Sequence, residues 1–369
     1  MDCAWELTAI RGLSQAVLFF HYGGPIDRYP RNVGQTQIDL GYGHGPNIPF
    51  SDYKLREVSM CASVRNSTIA GVFGMVLLAA GCPAAAQAVA GQVTEALQTG
   101  TLMQIIPGHY LYNAGFQNSG VIVTNEGVVV VDGLNSEARG RHARQLISET
   151  IGQPVRYLIS STFHDNFTQG NVAYRDVVSI GNELYRADLL DMMREDGVPA
   201  TVQAARLPDL TYRDRMTLRL GGKEIQIIHN GPAHTRGDSI VFVPEDRIVY
   251  VSELYFYDRF PWMNTGYVNW INAIDTALSL DADIFVPGQG HENMFAAGFP
   301  RESRRALERF RQVLVDARDA VQREIAQGAT EDQVAATVLL PQHRDLGGYE
   351  QQREVVVRRT YLDLKGLLP

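Results

Sequence analysis

The chain has 369 residues, 45% hydrophobic and 20% charged, with a formal net charge of −8. That is ample material for a buried core. The acidic balance, with Lys and Arg scattered along the chain, excludes the clustered positive surface that a nucleic-acid partner requires.

Residues 1–59 are rich in Gly, Tyr and Pro and lack sustained periodicity, so they read as a non-native or disordered extension. Residues 60–88 have the layout of a signal peptide: Arg65 precedes a short apolar core ending at Pro83, and Ala86-Gln87-Ala88 offers a small-x-small cleavage site before Val89. This predicts a biological start at Met60 and a periplasmic or secreted mature chain. A membrane anchor competes, but a span wants about 20 apolar residues, and Pro83 and Gln87 interrupt the run. A lipoprotein reading ranks second, since Leu78-Ala79-Ala80-Gly81-Cys82 resembles a lipobox with Cys82 as the lipid anchor. All three cysteines, Cys3, Cys61 and Cys82, fall before the proposed cleavage, so the mature domain 89–369 has neither disulfides nor thiolate ligands.

From Gly108 onward β-rich runs alternate with helical ones, the pattern of an α/β domain. Ser119–Thr124 and Val128–Val131 flank Asn125-Glu126-Gly127, a hairpin signal. Residues 136–150 carry helical spacing and stop at Gln153-Pro154. Further strands are predicted at Val155–Ser160 and Ile284–Val286, and hairpins at Met216–Ile228 around Gly221-Gly222 and at residues 239–252 around Pro244-Glu245-Asp246. Helices are predicted over Glu183–Glu195 and residues 267–280. The part from 301 to 368 is mainly helical, with one long amphipathic segment to Gln327 and two shorter ones.

Chemistry-bearing side chains gather where strands end, the usual place for sites on α/β scaffolds. They are His164 in the loop S-T-F-H-D-N-F-T-Q-G-N, His234 in G-P-A-H-T-R-G-D, Glu253 after Val251-Ser252, and Gln289 in P-G-Q-G. The glycines and proline around His234 hold a tight, defined turn, as a preorganised ligand needs. Each survivor also has a structural reading: His164 bracing its loop, His234 bonding the turn at Asp238, and Glu253 pairing with Arg236.

Together with Ser119-Gly120-Val121-Ile122-Val123 and Val131-Asp132-Gly133, these segments resemble the metallo-β-lactamase superfamily, in particular its exported hydrolase-like members. The resemblance runs from about Thr101 to the C-terminus. It implies an αββα metallo-β-lactamase-type sandwich with a metal site at one edge of its sheets. The family loop H-x-H-x-D-H, anchored here on Gly170-Asn171, places Thr162 at the first His, His164 at the second, Asn166 at the Asp and Phe167 at the last His. His234 matches the next ligand, Glu253 the bridging carboxylate, and Gln289 the final His.

On this mapping Asn166, Phe167 and Gln289 replace three of the second metal's ligands, and neither an amide nor a phenyl ring serves zinc. The expectation is at most one ion, zinc or iron(II), on His164, His234 and Glu253, a sufficient catalytic set. Asp165 or Glu253 would then be the base, Asn166 stands at the usual proton-acceptor place without being able to take a proton, and Thr162 would hydrogen-bond a bound water. The implied function is a metal-dependent hydrolase acting on an ester or amide of a small molecule. The alternative is a metal-free, non-catalytic protein that binds a ligand or protein partner in the old cleft. A third arrangement recruits His291 or His229. Asp132 and Asp238 read as braces that orient the ligands. The aromatic run 254–264 reads as packing against a helix before it reads as a wall for an apolar ligand.

Overall fold

The computed structural model describes residues 5–9, 18–22, 100–262 and 268–368. The chain divides into two units, Met1–Ala70 and Gly71–Pro369. Of the first, two short antiparallel strands are described, β1 (Trp5–Ala9) and β2 (Leu18–Tyr22). The signal-peptide segment 60–88, with Cys82 and the Ala88 site, lies outside the described residues.

In the second unit the first half of the sheet comprises β3 (Thr101–Ile106), β4 (His109–Ala114), β5 (Gln117–Thr124), β6 (Gly127–Val131), β7 (Val155–Ser160), β8 (Val178–Asn182) and β9 (Leu210–Tyr212). The other half comprises β10 (Arg215–Leu220), β11 (Lys223–Ile228), β12 (Ile240–Val243), β13 (Ile248–Phe256) and β14 (Ile284–Gln289). The halves join through one residue pair, Gln289 with Gln117.

Strand β6 shows why the layers form. Val129 and Val131 face a central core shared with Tyr250 of β13, whose ring lies over Gly120 beside Val131. Val128 and Val130 point the other way, into a cluster with Ile147 of helix α1 (Glu137–Ile151). The period of two thus buries both faces, one against the opposite half and one against helices. Ser136 caps α1 by accepting from Arg139 N, and Gly152 ends it at φ 72.

Helices α2 (Asp165–Thr168), α3 (Glu183–Glu195) and α4 (Ala200–Arg206) follow in the chain, and on the far side lie α5 (Val268–Ser279) and α6 (Ser303–Ala326). Helix α6 buries Leu307, Phe310, Val313, Leu314, Ala317 and Val321 on one stripe. Phe256 packs edge-on against Trp270 of α5 and Phe310 of α6, so the aromatic run packs on helices as expected. Two shorter helices, Glu331–Thr337 and Tyr349–Leu364, complete the helical C-terminal part. The whole is the αββα arrangement.

The sequence reading ended the strand at Ser252, just ahead of Glu253. Strand β13 instead runs through Glu253 to Phe256, with all nine residues buried, so no polar alternation marks its end. The strand kinks where its register against β14 shifts, at Ser252 with φ 54. Gly288 permits this: a Cβ there would lie 2.3 Å from the Ser252 carbonyl carbon.

Gly170 is tighter still. A Cβ on it would lie 1.7 Å from the Gly133 carbonyl oxygen, whereas at Gly152 nothing lies within 4 Å. Gly170→Ala is therefore expected to cost about 3 kcal/mol or more, against about 1 kcal/mol for Gly152→Ala from its left-handed backbone alone. Denaturant unfolding of the two variants checks this; equal losses would contradict the close approach.

Candidate metal centre

Two buried carboxylates position the site. Asp132, at the end of β6, accepts from Ser161 N at 2.8 Å, Ser161 Oγ at 2.9 Å and Ser252 Oγ at 2.8 Å. It thereby ties the loop that carries His164 to the kink that aims Glu253. Asp238 accepts from the backbone N and the hydroxyl of Thr235, fixing the turn between β11 and β12 that presents His234. Burial pushes Asp132 up to about 6 and Asp238 up to about 7. The Gly170-Asn171 pair locks the loop from behind: Gly170 N donates to Leu134 O at 2.9 Å, and Asn171 Nδ2 donates to Ser160 Oγ at 3.1 Å.

His164, His234 and Glu253 converge, with one donor atom from each lying within 4.8 Å of the others. Glu253 Oε2 is 2.8 Å from His164 Nδ1 and 3.8 Å from His234 Nδ1. Ligands about 2.1 Å from one tetrahedral zinc sit about 3.4 Å apart, and the two distances bracket that value. His234 Nε2 donates to the Trp262 carbonyl at 2.9 Å, which leaves the Nδ1 lone pair for the centre. The donor set and its spacing fit a single divalent ion.

The electrostatics agree. Burial lowers His234 to about 4, against the pull of Glu253, so the imidazole is held neutral, the form able to ligate a metal. His164 is also pulled down by burial, but the neighbouring Glu253 carboxylate outweighs it and the net shift is upward. Burial pushes Glu253 up, yet His164, His234 and the Thr162 hydroxyl together hold it below the usual carboxylate value.

Thr162 is thus fully buried beside the carboxylate, and Gln289 Nε2 reaches Glu253 Oε1 at 3.4 Å. Phe167 is buried, with its backbone carbonyl accepting from Gly133 N. Asn166 lies half-buried on the single turn α2 (Asp165–Thr168) that follows His164. Asp165, a candidate base, is instead ion-paired with Arg206 and accepts from Gln169. His229 Nδ1 donates to Asp238 O at 2.7 Å, and the exposed His291 packs its ring against Phe116; neither joins the converging group. Arg236 pairs with Asp188, not with Glu253. Sequence reasoning missed Ser161, Ser252, Arg206 and the Trp262 carbonyl. Of these only the serine before Glu253 and the serine three before His164 stood inside quoted motifs.

Residues 112–289 match the family model described as metallo-beta-lactamase superfamily. Fold and match agree over these residues. It is 27% identical over 189 residues to 2,4-dinitroanisole O-demethylase subunit alpha of Nocardioides sp. (strain JS1661), covering 49% of this chain and 52% of the relative. The match therefore spans about half the length of that curated relative. Among solved structures, the stereoselective inverting sec-alkylsulfatase Pisa1 from Pseudomonas sp. superposes with TM-score 0.56 at 14% identity, over 71% of this chain and 50% of that one. A metallo-beta-lactamase from Pontibacter korlensis gives TM-score 0.47 at 17% identity, over 58% and 99% respectively.

The His164–Glu253 pair has a definite pH window in chelator-stripped protein. Glu253, lowered from 4.5, contributes stability above that pH and loses it as pH falls through its folded value. His164, raised from 6.5, contributes below that pH and loses it as pH rises through its folded value. The stability lost in Glu253→Gln, about 3 kcal/mol at its greatest, is expected to peak between these two values. Urea unfolding across pH reads it, and a difference that keeps widening on the alkaline side would contradict the pairing.

Proposed function

We propose that this protein is a metal-dependent hydrolase with a mononuclear centre on His164, His234 and Glu253. The observation that carries it is the convergence of two imidazoles and one carboxylate on a common point. A bound zinc or iron(II) ion would supply Lewis acidity and an acidified water there.

The chain's own groups prepare the site for that. His234 stays neutral, with its Nε2 proton held on the Trp262 carbonyl. Glu253 stays ionised, and Gln289 donates to its Oε1. With Asp165 taken by Arg206, the role of proton acceptor falls to Glu253. The Asn166 amide at the usual acceptor place can orient a donor but holds no proton of its own to exchange in this range.

The substrate we propose is a small molecule with a hydrolysable bond to oxygen, an ester or an aryl alkyl ether. The ester half follows from the hydrolase-like fold. The ether half rests on the name of the Nocardioides relative, whose stated substrate is an aryl methyl ether.

One observation favours a second reading, a metal-free binding protein. His164 Nδ1 and Glu253 Oε2 are already within direct hydrogen-bonding distance, so each satisfies the other without an ion.

Elemental analysis of the full chain, purified without chelators, separates the two. The expected result is close to one zinc or iron per chain, falling to background in His164→Ala and in His234→Ala, with aryl-ester hydrolysis lost in parallel. Background metal in the unmodified protein would sink the hydrolase reading and leave the second.

A further inference from the structure

Arg259 lies outside the centre, and among the described residues no carboxylate pairs with it. Its guanidinium carbon sits 4.0 Å from the centroid of the Phe116 ring, and Phe116 packs edge-on against His291 at 4.3 Å. The turn at Gly347 and Gly348 bounds it from another side, where a Cβ on Gly348 would come 3.5 Å from Arg259 Nη2. Backbone bonds from Phe260 N to Gly347 O and from Gly347 N to Asp258 O hold that turn against the arginine's own segment. The side chain is half-buried, and burial alone draws its pKa down.

Arg259 lines a cavity of about 210 Å3 together with Phe256, Tyr257, Phe310 and Leu346. Two more arginines line it, but both are committed: Arg309 pairs with Asp258 and Asp345, and Arg305 with Glu302. Asp258 and Glu302 are the acidic residues of the lining. Among the described residues lining the cavity, Arg259 is therefore the cation left without a carboxylate.

Taking a guanidinium out of water without a counter-charge is costly. Its planar fork, fixed on an aromatic face, suits a carboxylate. The remaining wall combines the apolar side chains Phe256, Phe310 and Leu346 with ion-paired charged ones, and the volume falls below the roughly 300–1,000 Å3 typical of drug-sized ligands. A single ring or short chain fits that description. None of His164, His234 or Glu253 lines the cavity.

We propose that Arg259 and this cavity bind a small organic anion, a carboxylate on an apolar or aromatic body, at a site separate from the metal centre. The proposal does not depend on the hydrolase reading.

Calorimetric titration of the full chain with benzoate and with benzamide, its neutral isostere, reads the charge without any mutation. Benzoate is expected to bind saturably, and benzamide about tenfold or more weakly, the scale of one charge-assisted hydrogen bond. Arg259→Gln should weaken benzoate by a similar factor, while His164→Ala should leave it unchanged. Equal binding of benzamide, no saturable benzoate binding, or full benzoate affinity in Arg259→Gln would each overturn the proposal. So would loss of benzoate binding in His164→Ala, which would put the anion on the centre instead.

Discussion

The carboxylate of Asp132 is the point on which the centre depends. It is buried between the two halves of the sheet and accepts from one serine on each side, Ser161 before His164 and Ser252 before Glu253. A carboxylate enclosed in this way is costly unless its oxygens are satisfied, and here three donors satisfy them. The same three bonds fix how far apart the loop and the kinked strand sit. Ligand spacing in this molecule is thus set one layer behind the ligands.

The arrangement of charge around Glu253 has an electrostatic logic. Two imidazoles and one buried carboxylate meet there: the histidines hold Glu253 ionised against its burial, and burial holds His234 neutral against the pull of Glu253. Gln289 donates to the second oxygen of Glu253. Glu253 reaches far enough to contact His164 directly, which the shorter aspartate usual at this place would do only with a closer strand. The bare backbone of Gly288 lets the kinked main chain at Ser252 and Glu253 approach it.

Much of the fold was legible because it rests on local signals. Val155–Ser160 and Glu183–Glu195 carry their own period and their predicted limits coincide with the observed ones, while the first two hairpins carry their own turns and their strands begin within two residues of the predicted positions. Glu253 was legible as a ligand but not as a mid-strand residue, since a strand covered on both faces has no polar alternation to show where it stops. Strands β3, β4, β8 and β9 are short and defined by their partners across the sheet, which a one-dimensional reading does not contain. The same limit hid Arg206. Its pairing with Asp165, 41 positions away, exists only once the loop has folded back, and it gives an ion-pair partner to a residue that reads as a base.

The group that orients His234 is a peptide carbonyl, that of Trp262. Every amino acid brings the same carbonyl, so this part of the site is written in the course of the main chain and is silent in any comparison of side chains. Exchanges at position 262 are free to drift as far as the imidazole is concerned. Insertions or deletions between Phe256 and Trp262 are not, because they would carry the acceptor away from the ring. Variation among related chains should therefore register here as a constraint on loop length, with none on residue identity.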